Sequence, residues 1–135
     1  MRIVHFELPA DNPARCMAFY EQAFGWRFEK WEGPMDYWMI KTGEGPGIDG
    51  GLARRQQPGQ PATNVIAVNS VDEIVRAVTT AGGTVAVPKM PVPGVGWTAY
   101  FTDTEGTMFG VMQFDAAAGW RPPHGRQAGC DTLAG

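Results

Sequence analysis

Near the start of the chain, Val4-His5-Phe6-Glu7-Leu8 sets an imidazole and a carboxylate two residues apart. A β-strand sends alternate side chains to opposite faces, so His5 and Glu7 share one face while Val4, Phe6 and Leu8 share the other. Imidazole and carboxylate are the commonest side chains for divalent-metal binding and for proton transfer near neutral pH. A carboxylate beside an imidazole raises the imidazole pKa, so the pair is expected to suit acid–base work. The plainer reading of His5 is a half-buried strand histidine bonded to a neighbour, and of Glu7 a carboxylate at a rim. Either way the apolar face of this strand must pack on something, and a helix is expected there.

The elements that would position the pair follow from turn and capping signals. Asp11-Asn12-Pro13 is a helix start, and Met17, Tyr20, Ala23 and Phe24 form its apolar stripe, ended by Gly25. Residues 26–31, 37–40 and 48–52 read as strands, the last with Gly50-Gly51 at its centre. Residues 54–62, with three Gln, two Pro and a Gly, read as a linker. The order then repeats. Residues 64–68 form a strand, and Ser70-Val71-Asp72-Glu73 is a capping box. Ile74, Val75, Val78 and Ala81 form a second helical stripe, closed by Gly82-Gly83. Residues 84–88, 97–102 and 108–114 are strands, with Pro91 to Gly96 a loop and Asp103-Thr104-Glu105-Gly106 a hairpin-type turn.

Both halves therefore read β-α-β-β-β, a repeat of elements with little shared sequence. The expected fold class is α+β: two βαβββ modules, 2–53 and 63–114, forming an eight-stranded open mixed barrel with a central cleft, both helices outside. Residues 115–135, with Ala116-Ala117-Ala118-Gly119 and Pro122-Pro123, have the composition of a mobile tail carrying Trp120, His124 and Cys130.

Composition narrows the function classes. The 135 residues suffice for one domain with a core of its own, and a net charge of −3 without a Lys/Arg cluster argues against nucleic-acid binding. No apolar run approaches a membrane span and no leader is visible, so a cytoplasmic protein with Cys16 and Cys130 reduced is expected. A Gly-x-Ser-x-Gly turn, a phosphate loop, a Cys-x-x-Cys pair and a dinucleotide fingerprint are all missing.

With His5 in the opening strand, the run from Ala14 to Gly25-Trp26, and Asp103-Thr104-Glu105-Gly106 before Phe109-Gly110-Val111-Met112-Gln113, the chain resembles the vicinal oxygen chelate superfamily. That superfamily includes glyoxalase I, extradiol dioxygenases and bleomycin-resistance proteins. Gly47-Ile48-Asp49-Gly50-Gly51-Leu52 and the segment Pro88 to Trp97 are similar to a branch of glyoxalase-like proteins within it. The resemblance covers residues 2 to 114.

The resemblance implies metal ligands in the first and last strand of each module. The matching positions hold His5, then Gly50 or Gly51, then Ile66, then Gly110, so one ligand of about four is kept where an ion asks for three or more. No cofactor is therefore expected, and a divalent metal at His5 belongs to the alternative. The main expectation is a glyoxalase/bleomycin-resistance-like protein that binds a small organic molecule in the cleft. The alternative is a metal-dependent lyase or dioxygenase of the glyoxalase type; whether there is turnover stays open. His5 and Glu7 are the candidate catalytic residues. Tyr37, Trp38, Gly50, Gly51, Lys89, Trp97, Gly110 and Met112 are the candidate lining, with Lys89 reaching toward an anionic ligand and Trp97 acting as a lid. The plainer readings are a solvated Lys89, a Trp97 that fills the core, and a site filled by Tyr37, Trp38 and Met112. Glycine opposite histidine predicts open space, into which Gly51→Glu and Gly110→Glu would fit. Similar proteins pair as homodimers, which is expected here.

Overall fold

The computed structural model describes residues 1–118, which hold eight strands and two helices. The expectations placed on Trp120, His124 and Cys130 lie outside the described residues. The chain separates into two compact units, Ile3–Asn64 and a second that takes in Val65 onward together with Met1–Arg2. Each is a βαβββ module of the α+β class, as the repeat of elements predicts.

In the first module, β1 (Ile3–Ala10) leads into α1 (Pro13–Phe24), followed by β2 (Arg27–Lys30), β3 (Tyr37–Lys41) and β4 (Gly50–Arg54). The strand order is β2-β3-β4-β1, with β1 parallel to β4 and the other pairs antiparallel. The helix begins where Asn12 Oδ1 accepts the Arg15 amide at 3.0 Å and Pro13 presets the first turn. It ends at Gly25, whose φ of 74° is the left-handed turn glycine allows without a steric penalty. Ala10, Ile40 and Leu52 are buried under it, with Phe6, Leu8, Cys16, Met17, Trp26, Phe28 and Trp38 packed around them. The helix thus covers the Phe6/Leu8 face of β1, and alternation turns His5 and Glu7 to the helix-free face.

The second module runs β5 (Thr63–Ala67), α2 (Val71–Thr80), β6 (Thr84–Val92), β7 (Gly96–Thr102) and β8 (Met108–Phe114). Its order is β5-β8-β7-β6, with β5 parallel to β8. Ser70 Oγ caps α2 by accepting the Glu73 amide at 3.2 Å. At the other end Gly83 donates to Val78 O and Gly82 to Thr79 O, closing the helix as the Gly-Gly pair predicts. Val68, Val71, Ala99, Phe101 and Val111 form the core, joined by Ile66, Ile74, Val75, Val78, Trp97 and Phe109.

Several boundaries differ from expectation, among them the start of β4 at Gly50 instead of residue 48. Arg54, placed in the linker, closes β4 and forms an ion pair with Asp36 at 3.1 Å. β6 continues to Val92 through Pro88 and Pro91, because it lies at the edge of its sheet, where a missing N–H costs no ladder bond, and because its register shifts between Val85 and Met90. Residues 115–118, assigned to the tail, bond to the β6–β7 turn. Asp115 N donates to Val95 O at 2.8 Å and Gly94 N to Ala118 O at 3.3 Å, and Ala118 is buried.

Candidate functional site

His5 and Glu7 meet on one atom, the hydroxyl of Tyr37. His5 Nε2 lies 2.8 Å from Tyr37 Oη, and that hydroxyl donates to Glu7 Oε2 at 3.1 Å. Since the Tyr37 proton is given to Glu7, its oxygen accepts from His5. The imidazole therefore carries its hydrogen on Nε2 and its lone pair on Nδ1. All three side chains are half-buried. The Tyr37 ring is steadied by an edge-on contact with Trp31, with ring centres 6.0 Å apart and planes at 80°.

Register explains how Tyr37 reaches the pair. Glu7 lies beside Gly51 across β1–β4, and Gly51 lies beside Met39 across β4–β3, so Tyr37 slants over the glycine from two residues away. A Cβ at position 51 would fall 1.7 Å from Tyr37 Oη and 2.1 Å from Tyr37 Cζ. This corrects the expectation of open space: the missing side chain at 51 is replaced by the phenol of residue 37. Gly50 points to the other face, where a Cβ would meet the Phe6 ring and the Phe6 carbonyl oxygen at 2.6 Å. At Gly110 a Cβ would come 2.8 Å from Tyr100 Cε2, so a tyrosine ring covers this glycine too. Glutamates at 51 and 110 do not fit as expected.

The other candidates divide between faces. Met112, two residues from Gly110 on β8, shares its helix-free face. Trp38 lies on the α1 side, packed on the core, with Lys30 Nζ 5.8 Å from its ring centre. Lys89 does not reach toward a ligand on the helix-free face; its ammonium pairs with Asp72 at 3.1 Å and sits 4.8 Å from the centre of the Trp97 ring. Trp97 packs on the core beneath α2, in line with its plainer reading, and its Nε1 donates to Asp115 at 3.4 Å. Ile66 likewise packs on that core, and it is Val65 that pairs with Gly110 in the register. Asp49, read only as part of a glycine-rich segment, adds negative potential at His5. Its carboxylate is held below the ordinary carboxylate value mainly by the Thr42 amide, 2.9 Å away.

Burial pulls the His5 pKa below the ordinary imidazole value of 6.5, outweighing the upward pull of Glu7 and Asp49. The sign is opposite to the one expected from a bare carboxylate–imidazole pair, because desolvation disfavours the imidazolium. The folded protein therefore holds fewer protons than the unfolded chain just below pH 6.5, and stability falls as pH drops through that region. The urea midpoint is expected to decrease between about pH 7.5 and about pH 5.5, with a shallower decrease in His5→Gln. Equal slopes in the two proteins would remove His5 as the cause.

The ion that the resemblance implies does not fit these residues. His5 directs Nε2 at a phenol, and the last-strand positions are glycines roofed by tyrosine rings. Among the described residues no group of three or more His, Cys, Asp or Glu could hold a metal ion. Nor is any described helix long and apolar enough to cross a membrane.

Comparison with known proteins agrees with this architecture. Residues 2–111 match the family model "Glyoxalase/Bleomycin resistance protein/Dioxygenase superfamily". Over 111 residues the chain is 30% identical to the proteins named "Putative glyoxylase CFP32" of Mycobacterium bovis and Mycobacterium tuberculosis, covering 79% of this chain and 42% of theirs. The chain thus spans about two fifths of the length of these curated relatives. Among solved structures, a methylmalonyl-CoA epimerase variant from Streptomyces coelicolor aligns with a TM-score of 0.62 at 15% identity, over 89% of this chain and 99% of that one. An NAD-dependent benzaldehyde dehydrogenase structure from Legionella pneumophila aligns with a TM-score of 0.60 at 19% identity, over 80% and 96%. Identities this low establish a shared fold alone. The family match over most of the chain, the paired βαβββ modules and the first-strand histidine lead to one conclusion: this chain belongs to the glyoxalase/bleomycin resistance protein/dioxygenase superfamily.

Proposed function

We propose that this domain binds a small organic molecule on the helix-free face of its first module, with no resident metal and with His5, Glu7 and Tyr37 as the polar groups that orient it. The observation that carries this reading is the shared hydroxyl. The histidine that matches a family ligand position has its Nε2 committed to Tyr37, and the space beside it is taken by a phenol ring where a liganding carboxylate would stand. A half-buried patch with a few convergent polar groups is suited to holding an organic ligand. The relatives' name supports small-molecule chemistry of a glyoxylase kind, and the superfamily description is consistent with either binding or turnover.

Elemental analysis of protein purified without added metal tests this reading against the metal-dependent lyase or dioxygenase. The expected result is metal well below one equivalent, unchanged in His5→Ala, together with a rise in melting temperature for some members of a panel of small aromatic compounds. Stoichiometric Ni, Zn, Mn or Fe that disappears in His5→Ala would replace this reading with the enzyme.

A further inference from the structure

With Tyr37 in place, His5 and Glu7 make a two-point site of one donor and one acceptor. The imidazole offers an N–H and the carboxylate accepts one, and both converge on a single oxygen at 2.8 and 3.1 Å. Water or a hydroxyl oxygen can accept from the first and donate to the second, and of the common groups an organic ligand carries the hydroxyl meets both demands. A carboxylate has no proton to give, an ammonium has no lone pair to offer, and a thioether gives no proton. The two side chains are fixed to β1 at positions i and i+2, so their spacing belongs to the strand and not to Tyr37. Tyr37, by contrast, is the first residue of β3, and its side chain reaches the pair only because position 51 has no Cβ.

We propose that His5 and Glu7 form a recognition site for a phenolic hydroxyl, and that Tyr37 occupies it as an internal stand-in which the external ligand displaces. This rests on the metal-free reading above and names its ligand class: a neutral phenol, its ring lying where the Tyr37 ring now lies beside Gly51 and Trp31. Because Glu7 accepts a hydrogen bond from the bound oxygen, the site favours a protonated hydroxyl over a phenolate or a carboxylate ligand.

The probe is p-cresol, the side chain of tyrosine as a free molecule, with toluene as its hydroxyl-free match. In Tyr37→Ala the stand-in is removed and its space is lined by the same groups. Calorimetry is expected to show p-cresol binding at least about tenfold more tightly than toluene, and at least about tenfold more tightly than to the native protein. Adding His5→Phe should abolish the preference for p-cresol. Equal binding of the two probes, or binding of neither by a variant that still melts cooperatively, overturns the proposal. Should Tyr37→Ala not fold, the native protein answers the same question through its 13C-labelled tyrosine ring signals. p-Cresol is expected to shift the Tyr37 signals saturably and toluene to leave them in place; no shift up to the solubility limit of p-cresol overturns the proposal. The two readings fail separately, since equal binding of toluene and p-cresol leaves a metal-free ligand site standing without hydroxyl selectivity. Stoichiometric metal at His5 removes the broader reading whatever the probes do.

Discussion

Gly51→Ala is expected to destabilise the protein by about 2–4 kcal/mol, far more than a single methyl group ordinarily costs at a strand position. The new Cβ would lie 1.7 Å from Tyr37 Oη, so the phenol must leave, and with it go the bonds to His5 and Glu7. Bonds involving a charged partner contribute about 1.5–3 kcal/mol, and a polar group left half-buried without its partner adds to the loss. Relief is available by a second change: in Gly51→Ala with Tyr37→Ala the clash is gone, and the double variant should lose about 1–3 kcal/mol less than the two single losses summed. Equilibrium urea unfolding of the four proteins measures this coupling. If Gly51→Ala alone proves neutral, Tyr37 does not sit over the glycine and the site as described is wrong. Gly110→Ala is the internal comparison. Its Cβ would come only to 2.8 Å of the edge of the Tyr100 ring, which a small ring rotation relieves, so a smaller loss is expected there.

Phe101→Ala should cost about 3–5 kcal/mol, a large fraction of the roughly 5–15 kcal/mol by which a domain is stable. The side chain is completely buried, stacks on Phe109 with ring centres 5.5 Å apart, and belongs to the cluster that α2 covers. Truncation leaves a cavity in a close-packed interior that relaxes only partly. Phe24→Ala is the comparison: Phe24 is 63% exposed and meets only the rings of Tyr20 and Trp26 among the aromatic contacts described, with centres 6.1 and 5.9 Å away, so a smaller cost of about 0.5–1.5 kcal/mol is expected there. Chemical denaturation at fixed pH, comparing both variants with the native protein, checks the pair. A loss of similar size in the two would mean that the aromatic content of the chain, and not the burial of Phe101, sets stability.

Much of this protein is written locally. Asn12-Pro13 and Gly25 bound α1, and Ser70, Glu73 and Gly82-Gly83 bound α2, because capping and left-handed turns depend on residues within a few positions of one another. Alternation in β1 likewise assigns Phe6 and Leu8 to the helix side and His5 with Glu7 to the other, and the structure keeps that assignment. The reach of β6 was less legible, since Pro88 and Pro91 end a central strand but are tolerated at an edge, and edge position is a property of the whole sheet. The site itself was only half visible. Tyr37 stood among the candidate residues, but its place on one hydroxyl between His5 and Glu7 arises from pairings across β1, β4 and β3. The same pairings turn Gly51 from a vacancy into the seat of a ring, and they turn Trp38 to the α1 side. The sign of the His5 shift also belongs to the fold, because neighbouring charge can be read from spacing whereas desolvation exists only once the strands have closed over the imidazole. Local sequence determines which groups share a strand face; only the register between strands decides which side chain from thirty residues away comes to lie between them.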